Sequence, residues 1–234
     1  MSEFGKITAT AHEQFEPPPH APLFNFDDWV FIQEPNTLPR VKSATASEVR
    51  YLWTVCDLYG SRFRGAIDCG ANIGSMTYAM ALLYDRIWAL EPWPANFRAL
   101  ETNSVRFPAS DIMLLEKAAG AENKLGTMYS SHKSRRDAHL EEAPKGKKGD
   151  AFTVDVVKLD TLIPLDTPID LIKLDVEGTE IDVLRGAARI IDTYRPLIFA
   201  EFKLPDKPKG VGFMESIGYK QLGVSGHNYI FGEK

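Results

Sequence analysis

The sequence predicts an α/β fold built on a doubly wound, mostly parallel sheet, and three observations support this. Apolar segments of strand length alternate with segments of helical periodicity from residue 65 onward. The first strand runs into a turn that contains Gly70 and Gly74, where the backbone can approach a ligand closely. The second strand ends in an acid, Glu91. A glycine turn after one strand and an acid after the next are typical of a nucleotide-type cofactor site.

The expected elements follow in order along the chain. A capping-box pattern at Thr45–Glu48, followed by apolar residues at helical intervals, predicts a first helix that stops at Gly60. Further helices are expected at 74–84, 94–105, 178–192 and 211–217. Strands are expected at 65–69, 86–91, 112–118, 169–175 and 196–202. Nearly continuous apolar strands separated by helices predict a parallel sheet that is covered on both faces.

The N-terminal region has a different character from the rest of the chain. Residues 1–44 show little periodicity and contain several prolines, among them Pro17–Pro19. This composition predicts an irregular N-terminal arm. Residues 45–234 are expected to form the main domain.

A second departure from the alternation lies between the third and fourth strands. Residues 124–168 are too long for a simple connection and are interpreted as an insertion. Within them, 152–157 is interpreted as an added strand and 132–149 as an exposed loop rich in Lys and Arg. The last segment, from Tyr219 to Phe231, predicts two strands of a hairpin, one of which runs antiparallel to the sheet.

Composition narrows the class of protein. The chain has 234 residues and a formal net charge of −5, which argues against non-specific nucleic-acid binding. No apolar run approaches the length of a membrane span, and no signal-peptide core is found at the N-terminus. Cys56 and Cys69 lie in apolar segments without metal-site spacing and are interpreted as buried, reduced thiols. A cytoplasmic protein without membrane contact is expected.

The glycine turn does not match the common nucleotide-binding motifs. A G-x-G-x-x-G fingerprint that starts at Gly70 fails at Asn72 and Ser75. No Gly-Lys-Ser or Gly-Lys-Thr follows, so a P-loop is excluded. The turn therefore suits a ligand with less phosphate than a dinucleotide. The alternative, a turn that serves packing alone, is disfavoured because Glu91 has the spacing of a ribose-binding acid.

A second group of ionisable residues lies at the end of the fourth strand and directly after it. Lys173 and Asp175 alternate along one face of that strand, and ionisable groups in a buried strand are costly unless they are paired or used. Asp175 comes at the carboxyl end, where open α/β sheets bind ligands. Glu177 and Glu180 flank the next helix start, where negative charge is favourable. The alternative is a purely structural role, in which the acids stabilise the helix start and Lys173 pairs with Asp175. For Glu180, the structural and the functional interpretation both remain open.

The order of these segments carries a resemblance to a known family. The shared segments are Asp68–Gly74, Ala89–Pro92, Asn103, Lys158–Leu162, Ile172–Glu180, Val183–Ala187, and Arg195–Pro196 with Glu201. The chain resembles FkbM-type methyltransferases over about residues 45–232. The resemblance implies a Rossmann-like class I fold that uses S-adenosylmethionine (SAM), with a seven-stranded sheet whose last strand is inserted antiparallel. It also implies methylation of oxygen on sugars, polyketide-like products or carboxylic acids.

The resemblance assigns a cofactor role to eight residues. They are Asp68, Gly70, Asn72, Gly74, Glu91, Trp93, Lys117 and Ala118. The turn Asp68–Gly74 is expected to hold the methionine part of SAM, and Glu91 to accept hydrogen bonds from the ribose hydroxyls. Lys117 and Ala118 are expected near the adenine. Trp93 either covers the adenine or packs on the domain. The product would be S-adenosylhomocysteine.

Catalysis is expected from the residues after the fourth strand. Asp175 and Glu177 are candidate general bases, with Lys173 orienting them or balancing their charge. His132, in the insertion, is a competing base, although a single loop histidine is more often solvated. The carboxylates of Asp175, Glu177 and Glu180 are oxygen ligands of the kind that Mg²⁺ takes. No ligand spacing demands a metal, and none is predicted.

The favoured function is therefore SAM-dependent O-methylation of a small-molecule or glycan acceptor. A nicotinamide-dependent oxidoreductase is an alternative that the broken glycine fingerprint disfavours. A non-catalytic SAM-binding domain is a second alternative, disfavoured by the charged residues kept at the strand end. The basic residues of the insertion either contact an anionic acceptor or form a solvated loop. The oligomeric state is not predicted.

Overall fold

A computed structural model describes residues 38–59, 63–107, 111–131, 134–140, 151–203 and 206–233. Its helices are α1 (Leu38–Tyr59), α2 (Ser75–Ala81), α3 (Pro94–Ser104), α4 (Leu159–Leu162), α5 (Glu180–Gly186), α6 (Ala188–Tyr194) and α7 (Lys207–Ser216). Its strands are β1 (Gly65–Cys69), β2 (Arg86–Leu90), β3 (Asp111–Leu115), β4 (Ala118–Ala119), β5 (Lys124–Ser131), β6 (Ser134–Leu140), β7 (Ala151–Val157), β8 (Leu171–Leu174), β9 (Leu197–Glu201), β10 (Lys220–Ser225) and β11 (Asn228–Gly232).

The described strands form a central seven-stranded sheet in the order β10-β11-β9-β8-β1-β2-β3. The strands from β9 to β3 pair in parallel. β11 pairs antiparallel with both β9 and β10, between which it lies. The predicted doubly wound, mostly parallel sheet with an inserted antiparallel strand is confirmed. The chain order reverses beside β1, which is where such folds bind ligands.

Both faces of the central sheet are buried because side chains of successive strand residues point to opposite sides. On β1, Ala66 faces the cluster formed with α1 and α2, whereas Ile67 faces the cluster formed with α4 to α7. The first cluster also contains Leu52, Trp53, Met76, Met80 and Phe199. The second contains Trp88, Ile172, Val183, Leu184, Ile190 and Met214. Burial on both faces explains why the strands have nearly continuous apolar sequences.

The insertion builds a second sheet rather than a loop. Its described strands have the order β4-β7-β5-β6, and β5 pairs antiparallel with β6 and β7. The added strand expected at 152–157 is confirmed as β7. The exposed loop expected at 132–149 is corrected in part, because 134–140 form β6 as the second strand of a hairpin. The remainder of that stretch lies outside the described residues.

Several element boundaries differ from the sequence prediction. α1 begins at Leu38 rather than near Thr45, inside the segment expected to be irregular, because a proline in the first turn is compatible with a helix. α7 likewise begins four residues early, at Lys207, with Pro208 in its first turn. The helix expected at 178–192 is two helices that meet at Ala187, whose ψ of 16° departs from helical geometry. The division of the chain at residue 44 stays a prediction.

The third strand is shorter than expected. It ends at Leu115, and Ala118 begins β4 in the second sheet. No helix among the described residues has the length and apolar character needed to cross a membrane.

Candidate active site

The glycine turn lies between the end of β1 and the start of α2. Gly70 has a φ of +78°, which favours glycine, and a Cβ at this position would collide with the carbonyl oxygen of Asp175. Both the backbone conformation and the close contact therefore require glycine here. The N–H groups of Gly70 and Ala71 both donate to the Leu90 carbonyl at 2.9 Å. Asn72 has a φ of +54°, a conformation that asparagine tolerates better than most residues. The turn is thereby fixed to the ends of β2 and β8.

A buried ion pair holds this turn from below. Asp68 on β1 and Lys173 on β8 are register partners, which places both side chains on the α2 face of the sheet. Lys173 Nζ lies 3.1 Å from Asp68 Oδ1 and donates to the Gly70 carbonyl at 2.7 Å. Thr77 on α2 donates to the other oxygen of Asp68 at 2.7 Å. Lys173 therefore ties the fully buried Asp68 carboxylate to the backbone of the glycine turn.

The charge state of Lys173 follows from this arrangement. Burial alone would lower the pKa of Lys173, but the carboxylates of Asp68 and Asp175 outweigh that effect and raise it. The lysine is thus a permanent cation. Its distance to Asp175 Oδ2 is 3.9 Å, longer than its contact with Asp68. The main role of Lys173 is therefore to hold the glycine turn, and its secondary role is to balance the charge of Asp175.

Glu91, directly after β2, is the buried acid beside the turn. Its two carboxylate oxygens accept from the N–H of Asn72 at 2.8 Å and from the N–H of Trp93 at 2.9 Å. The Asn96 amide donates at 3.3 Å to the oxygen that Trp93 also contacts. Burial raises the pKa of Glu91 to about 7, although these hydrogen bonds act in the opposite direction. The structure therefore holds a carboxylate at the switch point of the sheet at a cost in stability.

Trp93 connects this acid to the second sheet. Its ring meets that of Phe152 on β7 edge to face, with centroids 4.8 Å apart. The surrounding apolar cluster includes Ala118, Met128 and Val156. The indole therefore packs against the second sheet, and its place over the adenine stays a prediction.

Lys117 and Ala118 lie at the junction of the two sheets. Lys117 Nζ forms a partly exposed ion pair with Asp155 of β7 at 2.8 Å. Ala118 is buried, and its register partner is Val156. Both residues follow the end of β3 and contact β7 of the second sheet. Their place near the adenine stays a prediction.

Four charged side chains gather at the carboxyl ends of β8 and β9, and we call this group the carboxylate edge: Asp175, Glu177, Glu201 and Lys203. Lys203 Nζ lies 2.8 Å from Glu177 Oε2 and 3.0 Å from Glu201 Oε2. Burial, together with the hydrogen-bonded carboxyl of Asp175, raises the pKa of Glu201. The Asp175 side chain is 42% exposed, against 19% for Glu177 and 20% for Glu201. Asp175 is thus the most accessible carboxylate of the edge.

The carboxylate edge has the spacing of a cation site. One oxygen each from Asp175, Glu177 and Glu201 lies within 4.8 Å of the others. In the structure Lys203 supplies positive charge to two of these three acids. Glu180, which the sequence grouped with Asp175 and Glu177 as an oxygen ligand, is instead directed to backbone N–H groups.

The structure thus brings most of the expected site residues together around one edge of the sheet. The turn, Glu91 and the carboxylate edge follow the carboxyl ends of neighbouring strands. Sequence reasoning assigned no role to Glu201 or Lys203, although an acid at the end of a predicted strand is the signal that identified Glu91. His132 lies outside the described residues.

Comparison with known proteins identifies the family of the chain. The family described as "Methyltransferase FkbM domain" matches residues 68–220, about two-thirds of the chain. "Methyltransferase 1" of Beauveria bassiana (strain ARSEF 2860) is 28% identical over 141 residues, covering 51% of this chain and 57% of that protein.

Solved structures show the same fold. The FkbM methyltransferase of Methylobacillus flagellatus KT superposes with a TM-score of 0.53 at 23% identity, covering 72% of this chain and 43% of that one. A SAM-dependent methyltransferase of Leishmania major superposes with a TM-score of 0.52 at 13% identity, covering 83% and 75%. The chain spans about half the length of the fungal and Methylobacillus relatives. From the family match over residues 68–220, the chain belongs to the FkbM methyltransferase domain family.

Proposed function

We propose that the protein is a SAM-dependent methyltransferase that transfers a methyl group to oxygen, on a hydroxyl or carboxyl of a small molecule or sugar. The observation that carries this proposal is the placement of three features at one sheet edge: the glycine turn, the buried Glu91 and the carboxylate edge. The first two provide a cofactor site and the third a reaction site. Membership of the FkbM family supports the same chemistry.

The chemistry of the donor set fits SAM. A carboxylate has about four lone-pair positions, and three N–H donors contact Glu91. Capacity therefore remains for a sugar hydroxyl, and ribose is the part of SAM that a strand-end acid recognises. The turn between Gly70 and Gly74 supports the methionine part, since its backbone is fixed by Leu90 and Lys173.

When bound, SAM supplies a methyl group on a sulfonium centre, which leaves as a neutral thioether. Transfer of this methyl group to an acceptor oxygen would leave the electron pair of the broken carbon–sulfur bond on sulfur. The protein's task is to align the acceptor with this bond and to exclude water. A hydroxyl acceptor also releases a proton, which needs a base, whereas a carboxylate acceptor does not.

Asp175 is the residue we assign as that base. It is the most exposed acid of the carboxylate edge, so an acceptor can reach it. Its N–H donates to the Cys69 carbonyl at 3.1 Å, which fixes its backbone beside the glycine turn. The proton passes from the acceptor hydroxyl to the Asp175 carboxylate and then to water. Lys203 balances the neighbouring charges of Glu177 and Glu201.

Binding measurements separate this proposal from its alternatives. Calorimetry of the full chain with SAM, S-adenosylhomocysteine and NAD should show binding of the first two and none of NAD. Binding of NAD in place of SAM would support an oxidoreductase, and absence of binding by both SAM and its product would reject the methyltransferase.

A screen with radiolabelled SAM against sugars, hydroxylated metabolites and organic acids then identifies the acceptor. Asp175→Asn provides the test of the base. With a hydroxyl acceptor, the turnover of this variant should fall by about 10²–10⁴-fold, while its affinity for SAM is retained. Wild-type turnover in the folded variant would reject Asp175 as the base. SAM binding without transfer to any acceptor would favour a non-catalytic SAM-binding domain.

A further inference from the structure

The turn that carries Asp175 and Glu177 has an unfavourable backbone. Glu177 has a φ of +57° and Gly178 a φ of +106°. The left-handed region is unfavourable for a residue that has a Cβ, as Glu177 does. A conformation of this kind persists only where neighbouring groups determine it.

Glu180 is the group that contacts this turn from inside. Its Oε1 accepts from the N–H of Val176 at 3.3 Å and from the N–H of Gly178 at 3.1 Å. These donors flank Glu177 on both sides. Glu180 is only 5% exposed, whereas Gly178 is exposed and the two bonds are partly buried. A partly buried N–H group that loses its acceptor costs free energy, so the two bonds tie the turn to this one oxygen.

The conformation of Glu177 decides where its carboxylate lies. In the structure it reaches Lys203, which also contacts Glu201. Gly178 is not packed against a neighbouring element, because a Cβ there would meet nothing within 4 Å. Side-chain packing at Gly178 therefore does not impose the turn. The Thr179 hydroxyl donates to the Val176 carbonyl at 3.4 Å, and the bonds to Glu180 join the N–H groups on both sides of Glu177.

We propose that Glu180 is a positioning residue, which acts through the Val176–Gly178 turn to hold Glu177 and the carboxylate edge in their reactive arrangement. This inference rests on the proposed methyl transfer for its functional part, whereas its structural part stands alone. Glu180 does not touch the reacting atoms. It works as a hydrogen-bond acceptor and not through its charge or a proton.

The use of a single oxygen makes the inference testable. Both N–H groups donate to Oε1, so the carbonyl of a glutamine can replace that oxygen. E180Q should therefore preserve the turn, whereas E180A should release it. A residue that acted through its charge, by stabilising the start of α5 or by accepting a proton, would lose its role in both variants. Asp182, exposed on the same helix and paired with Arg185 at 2.9 Å, supplies the matched control D182A.

The functional readout is the split between kcat and KM in the methyl-transfer assay. We expect E180A to lower kcat by about 10–100-fold, the cost of a small misplacement of reacting groups, with the KM for SAM unchanged. E180Q should return kcat to the wild-type range, and D182A should leave both constants unchanged. Equal losses in E180A and E180Q, or wild-type kcat in a folded E180A, would overturn the proposal.

Crystal structures of the two variants test the structural part without an acceptor. E180Q should keep the positive φ at Glu177 and the contact between Glu177 and Lys203. E180A should lose both. An unchanged turn in E180A would overturn the positioning role even if the protein proves to be a methyltransferase. A lost turn in E180A together with an absence of methyl transfer in the wild type would instead reject the proposed function alone.

Discussion

Glu91 should make the free energy of unfolding fall as the pH rises, which is the opposite of the effect of most carboxylates. Replacement of Glu91 by glutamine should remove this pH dependence. Burial raises the pKa of Glu91 from its ordinary 4.5 to about 7. The folded state therefore holds a proton on Glu91 that the unfolded state releases between pH 4.5 and about 7. Because the folded state binds more protons in this window, the free energy of unfolding falls as the pH rises.

The magnitude follows from the size of the shift. A rise from 4.5 to about 7 corresponds to about 3 kcal/mol, at about 1.4 kcal/mol for each pK unit. This loss of stability is absent below pH 4.5 and complete above about pH 7. The side-chain amide of the E91Q variant carries no charge, so the variant lacks the dependence. E91Q has a separate, pH-independent cost, because its NH₂ group faces one of the two backbone N–H donors of Asn72 and Trp93.

Urea unfolding of wild type and E91Q at several pH values between about 4.5 and 8 separates the two effects. The stability of E91Q relative to wild type should rise by about 3 kcal/mol across this range. SAM affinity should fall strongly in E91Q if the ionised carboxylate binds the ribose. A constant difference in stability between the two proteins would refute the reasoning about burial, and unchanged SAM affinity would remove Glu91 from the cofactor site.

Three further predictions concern the surroundings of the site. Lys173→Met should lower the free energy of unfolding in urea by about 3–5 kcal/mol, because Asp68 is left buried without its cation. Lys203→Met removes a half-exposed ion pair and should cost about 1 kcal/mol or less. Similar losses in the two variants would contradict the argument from burial. Phe152→Ala should lower the free energy of urea unfolding by at least about 0.5–1.5 kcal/mol through loss of its edge-to-face contact with Trp93, while Phe152→Tyr retains stability. Wild-type stability in the alanine variant would show that this contact does not hold the second sheet to the domain. Methyl transfer should be insensitive to EDTA, and recovery of lost activity by added Mg²⁺ would show that the reaction needs a metal, for which the carboxylate edge is the candidate site.

The sequence predicted the central sheet because its signals are local. Apolar runs, helical spacing and the glycine turn each act within a few residues, and Glu91 is recognisable because it ends a strand. The structure of the insertion was harder to predict, because β5 pairs with β7, which lies far from it along the chain. Neither strand carries a local signal that identifies its partner. The contribution of Glu201 and Lys203 was missed for the same reason. Their role depends on the adjacency of β8 and β9, which the chain order alone does not state.

The destabilising features of this fold are concentrated at the proposed site. Glu91 is a buried acid whose ionisation is disfavoured, Asp68 and Lys173 are an ion pair in the sheet interior, and Glu177 has a left-handed backbone. Each would be replaced by an apolar or unstrained alternative if stability alone mattered. The doubly wound sheet tolerates them because two large apolar clusters stabilise its faces. Their common position at the carboxyl ends of neighbouring strands is therefore a physical reason to place the proposed cofactor binding and methyl transfer at this edge.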